Sequence, residues 1–346
     1  MSIINPDIRK AETLPSRYYN DASVFDSVVA SFGQYWHFAS HRNQLSAAHP
    51  IDNPLREPML FTQSEGEVHC ISNVCTHRGM LVCTETSDTK RLQCPYHGRT
   101  FGLDGQFRNM PEFDEVENFP TDEDHLRSFP FKEWKGLLFN TISGTDFESF
   151  IVAVEARVGW LPIADFTPDP SRYREYSIDS NWALYVDNYL EGFHIPFVHG
   201  DLHDVLDYDA YSTELFDGGV LQIGIANEGE PCFELPEGHP DFGQNIAAYY
   251  FWLHPGLMLN FYPWGLSVNL VIPDSVDKTR IIYHGFVGDA SMIGKGAGGD
   301  LDKVEAEDQF IVEGCQKGVS SVAYERGRYS PTKEAGVHHF HRILTQ

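Results

Sequence analysis

The pattern of apolar and polar positions changes close to residue 145. Between Gln34 and Gly144, short apolar or aromatic segments such as PMLFTQ, VHCISNV and KGLLFNTI alternate with turns rich in Gly, Pro and Asp. This spacing predicts a small all-β domain over residues 34–145. Beyond it, FESFIVAVEARVGWL and NWALYVDNYLEGF carry apolar residues at helical spacing and predict helices.

The rest of the chain predicts a mixed domain. VLQIGIAN, AAYYFWLH, LMLNFYPWGLSVNLVIP and TRIIYHGFVG have the apolar runs of strands, and LDKVEAEDQFIVEGCQKGVSSVAY returns to helical spacing. Together they predict an α+β domain of helices packed on a large antiparallel sheet, built from residues 1–33 and 146–346. A chain of 346 residues is long enough to form these two cores.

Charge and cysteine content narrow the possible partners and the compartment. A formal net charge of −25 argues against nucleic acid or an anionic membrane, because both require clustered Lys and Arg. The acidity is compatible with a cationic substrate, although solubility alone would also explain it. No basic-then-apolar leader and no membrane-length apolar run is present, so we expect a soluble, cytoplasmic protein. The six scattered cysteines then favour free or metal-bound thiols.

Two short motifs each pair a cysteine with a histidine: Cys75 with His77 in CTHRG, and Cys94 with His97 in CPYHG. Each pair lies in a turn that contains Gly or Pro, so the two turns can close on one metal centre. In a Rieske [2Fe–2S] cluster, two thiolates hold one iron and two imidazoles hold the other. A Cys2His2 zinc site uses the same ligand types but typically pairs Cys with Cys and His with His. The mixed pairs favour the cluster, and Cys83 lies outside both.

A second constellation lies in NWALYVDNYLEGFHIPFVHG. Read as one helix, it places Asp187, Glu191 and His194 on one face. Pro196 is expected to end that helix, so that His199 follows in a turn and both histidines can point inward. Two histidines and a carboxylate form a facial triad, which leaves open positions on Fe(II). The opposite, apolar face would consist of Trp182, Tyr185, Val186, Tyr189, Leu190 and Phe193.

The C-terminal helix offers the missing carboxylate. Asp308 falls on an apolar stripe, and an Asp in that environment is costly unless it is paired or bound to a metal. Asp308 is therefore the candidate third ligand, with Glu307, expected on the solvent side, as the alternative. A buried Lys or Arg beside Asp308 would be an explanation without metal. The stripe consists of Val304, Asp308, Ile311, Val312, Cys315 and Val319.

CTHRG followed by CPYHGRTFGLDG resembles the Rieske motif of ring-hydroxylating and related oxygenases, whose alpha subunits carry one such domain ahead of a catalytic domain of the helix-grip, START-like type. The resemblance spans roughly Gln34 to the C-terminus. It implies that His194, His199 and Asp308 hold a mononuclear Fe(II). It further implies that Glu191 relays electrons between a neighbouring subunit's Rieske histidine and an iron ligand, in a head-to-tail homotrimer. Many ring-hydroxylating dioxygenases have Asp at that position, so Glu191 departs from that subgroup.

The segment NYLEGFHIPFVH and the C-terminal run SSVAYERGRYSPTKEAGVHHFHRILTQ are similar to the choline, carnitine and betaine oxygenases. This similarity implies O2-dependent hydroxylation or oxidative N-demethylation of a quaternary or tertiary ammonium compound. NAD(P)H would act only through a separate flavin- or ferredoxin-type reductase, because no G-x-G-x-x-G opens a helix after a strand. Two alternatives stay open: an aromatic ring hydroxylase or O-demethylase of the same family, and a Rieske electron carrier without mononuclear iron.

Aromatic side chains could bind an ammonium head through their ring faces, although aromatic residues on strands more often belong to the core. We expect only two or three of the aromatic residues of the catalytic domain to face the iron. The candidates are Tyr185, Tyr189, Phe193, Tyr249, Tyr250, Trp252, Phe261, Tyr262 and Trp264.

Metal content separates an oxygenase from an electron carrier. A [2Fe–2S] cluster plus one mononuclear iron predicts about three irons per chain. Iron determination on purified, reconstituted protein checks this value. A content of about two irons would identify an electron carrier, because the cluster alone accounts for that number.

Overall fold

The computed structural model describes residues 2–144 and 146–346. The chain divides into two compact units. One spans Phe32–Phe147, and the other contains the chain up to Ser31 and again from Glu148 to Gln346.

The unit over Phe32–Phe147 is all-β, as its short apolar segments predict. Its strands form three antiparallel sheets with the orders β1-β9-β8, β2-β3-β4 and β5-β6-β7. The buried side chains of Leu60, Ile71 and Phe101 form one core together with Cys75 and Cys94, so both candidate cluster thiols lie inside it. The strands are β1 (His37–His41), β2 (Ala48–Pro50), β3 (Met59–Ser64), β4 (Glu67–Ser72), β5 (Leu92–Gln93), β6 (Thr100–Phe101), β7 (Phe107–Asn109), β8 (Phe131–Trp134) and β9 (Leu137–Asn140).

The second unit contains a seven-stranded antiparallel sheet with the order β10-β16-β15-β14-β13-β12-β11. The four apolar segments predicted as strands form its centre, which confirms the α+β fold. LMLNFYPWGLSVNLVIP divides into two strands at Gly265, whose φ of +147° and close approach to the Phe286 carbonyl leave no room for a Cβ. The strands are β10 (Thr167–Ile178), β11 (Ser212–Phe216), β12 (Gly219–Ile225), β13 (Ile246–Leu253), β14 (Leu257–Tyr262), β15 (Gly265–Ser275) and β16 (Lys278–Val287).

The two edge strands of this sheet, β10 and β11, were not predicted. The sequence of β10, TPDPSRYREYSI, is polar and contains two prolines. A sheet edge tolerates proline and charge, because one row of its backbone groups is not paired with a neighbour. Because β10 lies at such an edge, its residues need not alternate between apolar and polar. That alternation is the pattern that would have indicated a strand.

Helices cover parts of this sheet. α4 packs against α7, α8 and β15, and most of its side chains are buried. No helix in the described part of the chain is long and apolar enough to cross a bilayer. The helices are α1 (Arg17–Asn20), α2 (Ala22–Ser31), α3 (Phe147–Val158), α4 (Trp182–Tyr189), α5 (Ile195–Val198), α6 (Gly200–Val205), α7 (Leu301–Val319) and α8 (Ala335–Leu344).

The prediction of one helix continuing to Pro196 is wrong. α4 ends at Tyr189, and Pro196 lies in the first turn of α5, where its missing N–H costs nothing. The break falls near Gly192, a weak helix former whose backbone runs so close to the Tyr211 ring that a Cβ would lie 2.9 Å from it. Phe193 is consequently outside the helix and 42% exposed rather than on an apolar face.

The buried face of α7 also differs from the predicted apolar stripe, because it is rotated around the helix axis. The buried residues are Glu305, Val312, Gln316 and Val319, whereas Cys315 is exposed. Two of the buried positions are polar, so hydrophobic periodicity alone points to a slightly different face.

Candidate metal centres and active-site cavity

The turns that carry the two Cys–His pairs are built alike. In the first, the Gly79 N–H donates to the Cys75 carbonyl at 3.0 Å, and in the second the Gly98 N–H donates to the Cys94 carbonyl at 3.1 Å. Both glycines have positive φ, +72° and +74°, a conformation that favours glycine. The glycine of each motif therefore closes a tight turn around its cysteine.

These turns bring like ligands together. The rings of His77 and His97 lie 4.8 Å apart between centroids, near the surface. The Cys75 and Cys94 side chains are buried, and burial together with the adjacent Cys94 thiol raises the pKa of Cys75. Two neighbouring thiols inside and two neighbouring imidazoles outside match the division of ligands in a Rieske cluster, where each iron takes one kind.

The second constellation converges on one point. His194 immediately precedes α5 and His199 follows it, so one short helical turn presents both rings. His194 Nε2 lies 3.1 Å from His199 Nε2, which lies 3.0 Å from Asp308 Oδ1, and the remaining separation, His194 Nε2 to Asp308 Oδ1, is 3.6 Å. Ligand atoms about 2.1 Å from one metal and at right angles to each other are about 3 Å apart, so these separations fit a facial triad.

The outer nitrogen of each ring contacts a carboxylate. His194 Nδ1 lies 2.7 Å from Glu191 Oε1, and His199 Nδ1 lies 2.7 Å from Glu307 Oε2. In the tautomer in which these carboxylates accept the Nδ1 protons, the Nε2 lone pair of each ring is directed toward Asp308. Two imidazole nitrogens and a carboxylate oxygen that face one another are a donor set that fits a metal ion.

Glu307 was expected on the solvent side of its helix. In the structure its side chain contacts His199 instead. Glu307 is the residue before Asp308 on α7, and its side chain is 29% exposed. Burial lowers the pKa of His199, but hydrogen bonds and charges from Asp308 and Glu307 outweigh burial and raise it. Glu307 therefore orients an imidazole in this structure, whereas Asp308 points at the meeting place of the two histidines.

Two other sets of hydrogen bonds hold Asp308 and His194 in this arrangement. Asn188 Nδ2 donates to Asp308 Oδ1 at 2.7 Å, an interaction that the sequence did not indicate. Glu191 accepts the backbone N–H of His194 through Oε2 at 3.0 Å while Oε1 accepts from the ring. Glu191 thus fixes both the turn and the ring of His194.

A cavity of about 110 Å³ opens beside these residues. Of the predicted aromatic residues, Tyr185, Tyr189, Tyr250 and Tyr262 line it, which exceeds the two or three expected. Trp252, Phe261 and Trp264 are buried in the core instead. The remaining lining residues are Asn188, Glu191, His194, Ile195, His199, Leu202, Tyr211, Gln222, Asn260, Asn269, Tyr283, Ala297, Leu301, Val304 and Asp308.

Most residues of this lining carry a polar group although more of its surface is apolar, and none is a Lys or Arg among the described residues. Tyr211 and Tyr283 were not predicted to line the cavity, because both come from segments without a recognisable motif. The Tyr189 hydroxyl donates to Asn260 Oδ1 at 2.5 Å, which ties the wall formed by α4 to the central sheet. The cavity is therefore a rigid, aromatic and anionic pocket next to the facial triad.

Comparison with known proteins gives two family matches. The model of the ring hydroxylating alpha subunit (catalytic domain) matches residues 163–346, and that of the Rieske [2Fe-2S] domain matches residues 36–120. Choline monooxygenase, chloroplastic, of Arabidopsis thaliana is 27% identical over 97% of this chain and 83% of its own length. The carnitine monooxygenase oxygenase subunit of Escherichia coli (strain K12) is 27% identical over 100% of this chain and 99% of its own.

Solved structures share the fold. The quaternary ammonium Rieske monooxygenase CntA in complex with L-carnitine matches with a TM-score of 0.80 at 22% identity, covering 99% of this chain and 97% of its own. Naphthalene 1,2-dioxygenase from a Rhodococcus species matches with a TM-score of 0.75 at 18% identity, covering 96% of this chain and 93% of its own. These structural likenesses establish the fold alone.

The contact between Glu307 and His199 predicts a role in metal affinity. Glu307→Ala should weaken iron(II) binding at the mononuclear site by roughly 10- to 100-fold, because loss of a ligand's hydrogen-bond partner frees its ring and proton. Equilibrium iron binding to the full-length protein with an intact cluster measures this. Glu313→Ala is the control, because it removes a carboxylate of the same helix that accepts the Asp179 N–H and does not contact either histidine among the described residues. Unchanged affinity in Glu307→Ala would contradict the assigned role.

Proposed function

We propose that this chain, which belongs to the family of ring hydroxylating alpha subunits and carries a Rieske [2Fe-2S] domain, is a terminal oxygenase that oxidises a small ammonium compound with O2. Both family matches confirm the resemblance of its motifs. The two matched domains imply a Rieske cluster and a non-haem iron, and an oxidoreductase activity. The convergence of His194, His199 and Asp308 carries the proposal, because a carrier of electrons alone has no use for a facial triad beside a cavity.

The metal-binding roles follow the geometry of the side chains. Cys75 and Cys94 would hold one iron of the cluster, and His77 and His97 the other. His194, His199 and Asp308 would hold the mononuclear iron, which when bound supplies the redox chemistry that activates dioxygen. Glu191 and Glu307 keep the Nδ1 protons of the two rings in place, so that Nε2 of each ring stays available to the metal.

Glu191 is proposed as the electron relay. It lines the active-site cavity and also a groove of about 400 Å³ that contains Tyr19, Asp187 and Glu334. Its carboxylate therefore contacts an iron-ligating ring on one side and is reachable from another face of the same unit. That face would receive the Rieske histidine of a neighbouring subunit in a homotrimer, as the family resemblance implies. We further propose that a separate flavin- or ferredoxin-type reductase supplies the electrons from NAD(P)H. We also propose that the protein is cytoplasmic.

The substrate proposal rests on the lining of the cavity and on the relatives. Six tyrosines line the cavity, and an ammonium head binds favourably to the faces of such rings. The described lining contains no Lys or Arg that could pair with a carboxylate of the substrate. Among the ammonium compounds that its relatives' names suggest, this favours an amino alcohol of the choline type over zwitterions of the carnitine or betaine type.

Oxygen consumption with a substrate panel tests this function. The reconstituted protein, supplied with a surrogate reductase and NAD(P)H, should consume oxygen and form product with choline-type cations. Carnitine and betaine should have a higher KM, by about tenfold or more, because their carboxylate finds no cationic partner. Turnover of aromatic compounds but of no ammonium compound would establish the aromatic hydroxylase alternative and overturn the proposal.

Removal of the relay carboxylate should separate metal binding from catalysis. With the mononuclear site loaded by excess iron(II), Glu191→Ala is expected to keep the Rieske cluster and the iron but to lose nearly all product formation, because the direct ligands remain while the electron path is cut. Its affinity for iron(II) should fall as in Glu307→Ala, since His194 loses its hydrogen-bond partner. Iron content, the cluster's visible spectrum and single-turnover product yield measure the two effects. The Glu313→Ala protein serves as the matched control. Normal turnover in Glu191→Ala would refute the relay.

A further inference from the structure

Glu305 is a buried carboxylate directly behind the wall of the active-site cavity. It lies in α7 one turn before Asp308 and is 1% exposed. The Tyr185 hydroxyl donates to Glu305 Oε2 at 2.7 Å, and the Tyr283 hydroxyl donates to the same oxygen. Gln309 Nε2 donates to Oε1 at 3.2 Å. Both tyrosines line the cavity, so their side chains connect this carboxylate to the space that a ligand would occupy.

The protein itself does not offset this charge. In the part of the chain that the structure describes, no Lys, Arg or His forms an ion pair with Glu305, and its three hydrogen-bond donors are all neutral. A buried carboxylate without a cation is costly even when it is hydrogen-bonded. Its persistence beside a cavity points to a cation that arrives from outside the protein.

The other charges of the site do not provide that cation. Glu191 and Asp308 line the cavity beside the two histidines, and their two charges would offset an iron(II) ion held there. Arg172 and Arg174 line a different cavity, which shares Tyr283 and Leu301 with this one. The groups that line the active-site cavity would therefore leave no positive charge for Glu305.

A cationic ligand in the cavity would favour the ionised form of Glu305. Burial raises its pKa to about 7, while hydrogen bonds from Tyr283 and Tyr185 act in the opposite direction. A positive charge near the two hydroxyls favours the ionised form. The carboxylate and the cation would thus stabilise each other.

We propose that Glu305, acting through the hydroxyls of Tyr185 and Tyr283, is the counter-charge by which the cavity selects a cationic substrate over an uncharged compound of the same shape. This inference rests on the proposed function and assigns its charge specificity to one residue. Glu305 does not touch the substrate, so it is a positioning residue. The tyrosine rings supply shape and ring faces, and the carboxylate supplies the charge.

A pair of ligands that differ only in charge tests the assignment. Calorimetry on the full-length holoprotein would give Kd for choline and for its uncharged isostere, in which carbon replaces the ammonium nitrogen. Glu305→Gln keeps the size and the hydrogen-bonding oxygen but removes the charge. It should raise Kd for choline by about tenfold and leave Kd for the isostere unchanged. Glu313→Gln, with the same substitution two turns further along α7, should change neither.

Equal affinity of the wild type for both ligands, or an equal effect of Glu305→Gln on both, would overturn the inference. If Glu305→Gln fails to fold, Tyr283→Phe, which removes one hydroxyl from the carboxylate, should shift the ratio of the two Kd values in the same direction. The iron content of each variant shows whether its metal site is intact. Because binding is measured without turnover, absence of oxygen consumption with ammonium compounds would overturn the proposed function separately.

Discussion

The active site depends on the convergence of two imidazole nitrogens and a carboxylate oxygen on one point. These three atoms lie 3.0–3.6 Å apart, and the second nitrogen of each ring contacts a glutamate. Two distant parts of the sequence meet there: the segment around α5, which carries both histidines, and the middle of α7. A metal ion bound at this point would link them and contribute to the free energy of folding.

The same region concentrates negative charge beside an aromatic pocket. Glu191 and Glu307 hold the rings, Asp308 completes the triad, and Glu305 lies behind two tyrosines. A cationic substrate next to a cationic metal would be repelled in a neutral pocket. The surrounding carboxylates remove that conflict, so one cluster of acidic residues can serve both metal retention and substrate selection.

The two Cys–His turns could be predicted because their geometry is local. Cys75, His77, Cys94 and His97 lie in two short motifs whose glycines fix the turns, so the pattern of residues already contains most of the geometry. Their role as cluster ligands stays a prediction. The central strands were also predictable, because burial on both faces makes them almost continuously apolar.

The elements that could not be predicted are those whose conformation depends on contacts with distant parts of the chain. The end of α4 at Tyr189 reflects the close approach of Gly192 to Tyr211, which no local pattern reveals. The polar strand β10 exists because β16 pairs with it. Glu305 and Glu307 looked like ordinary helical acids, since their partners Tyr185, Tyr283 and His199 come from other parts of the chain.

The most direct test of the account is an experimental structure of the iron-reconstituted protein with anomalous diffraction measured at the iron absorption edge. The account predicts an anomalous peak about 2.1 Å from the Nε2 atoms of His194 and His199 and from a carboxylate oxygen of Asp308. A structure in which these three side chains lie apart, or in which packed apolar side chains fill the space between them, would contradict it.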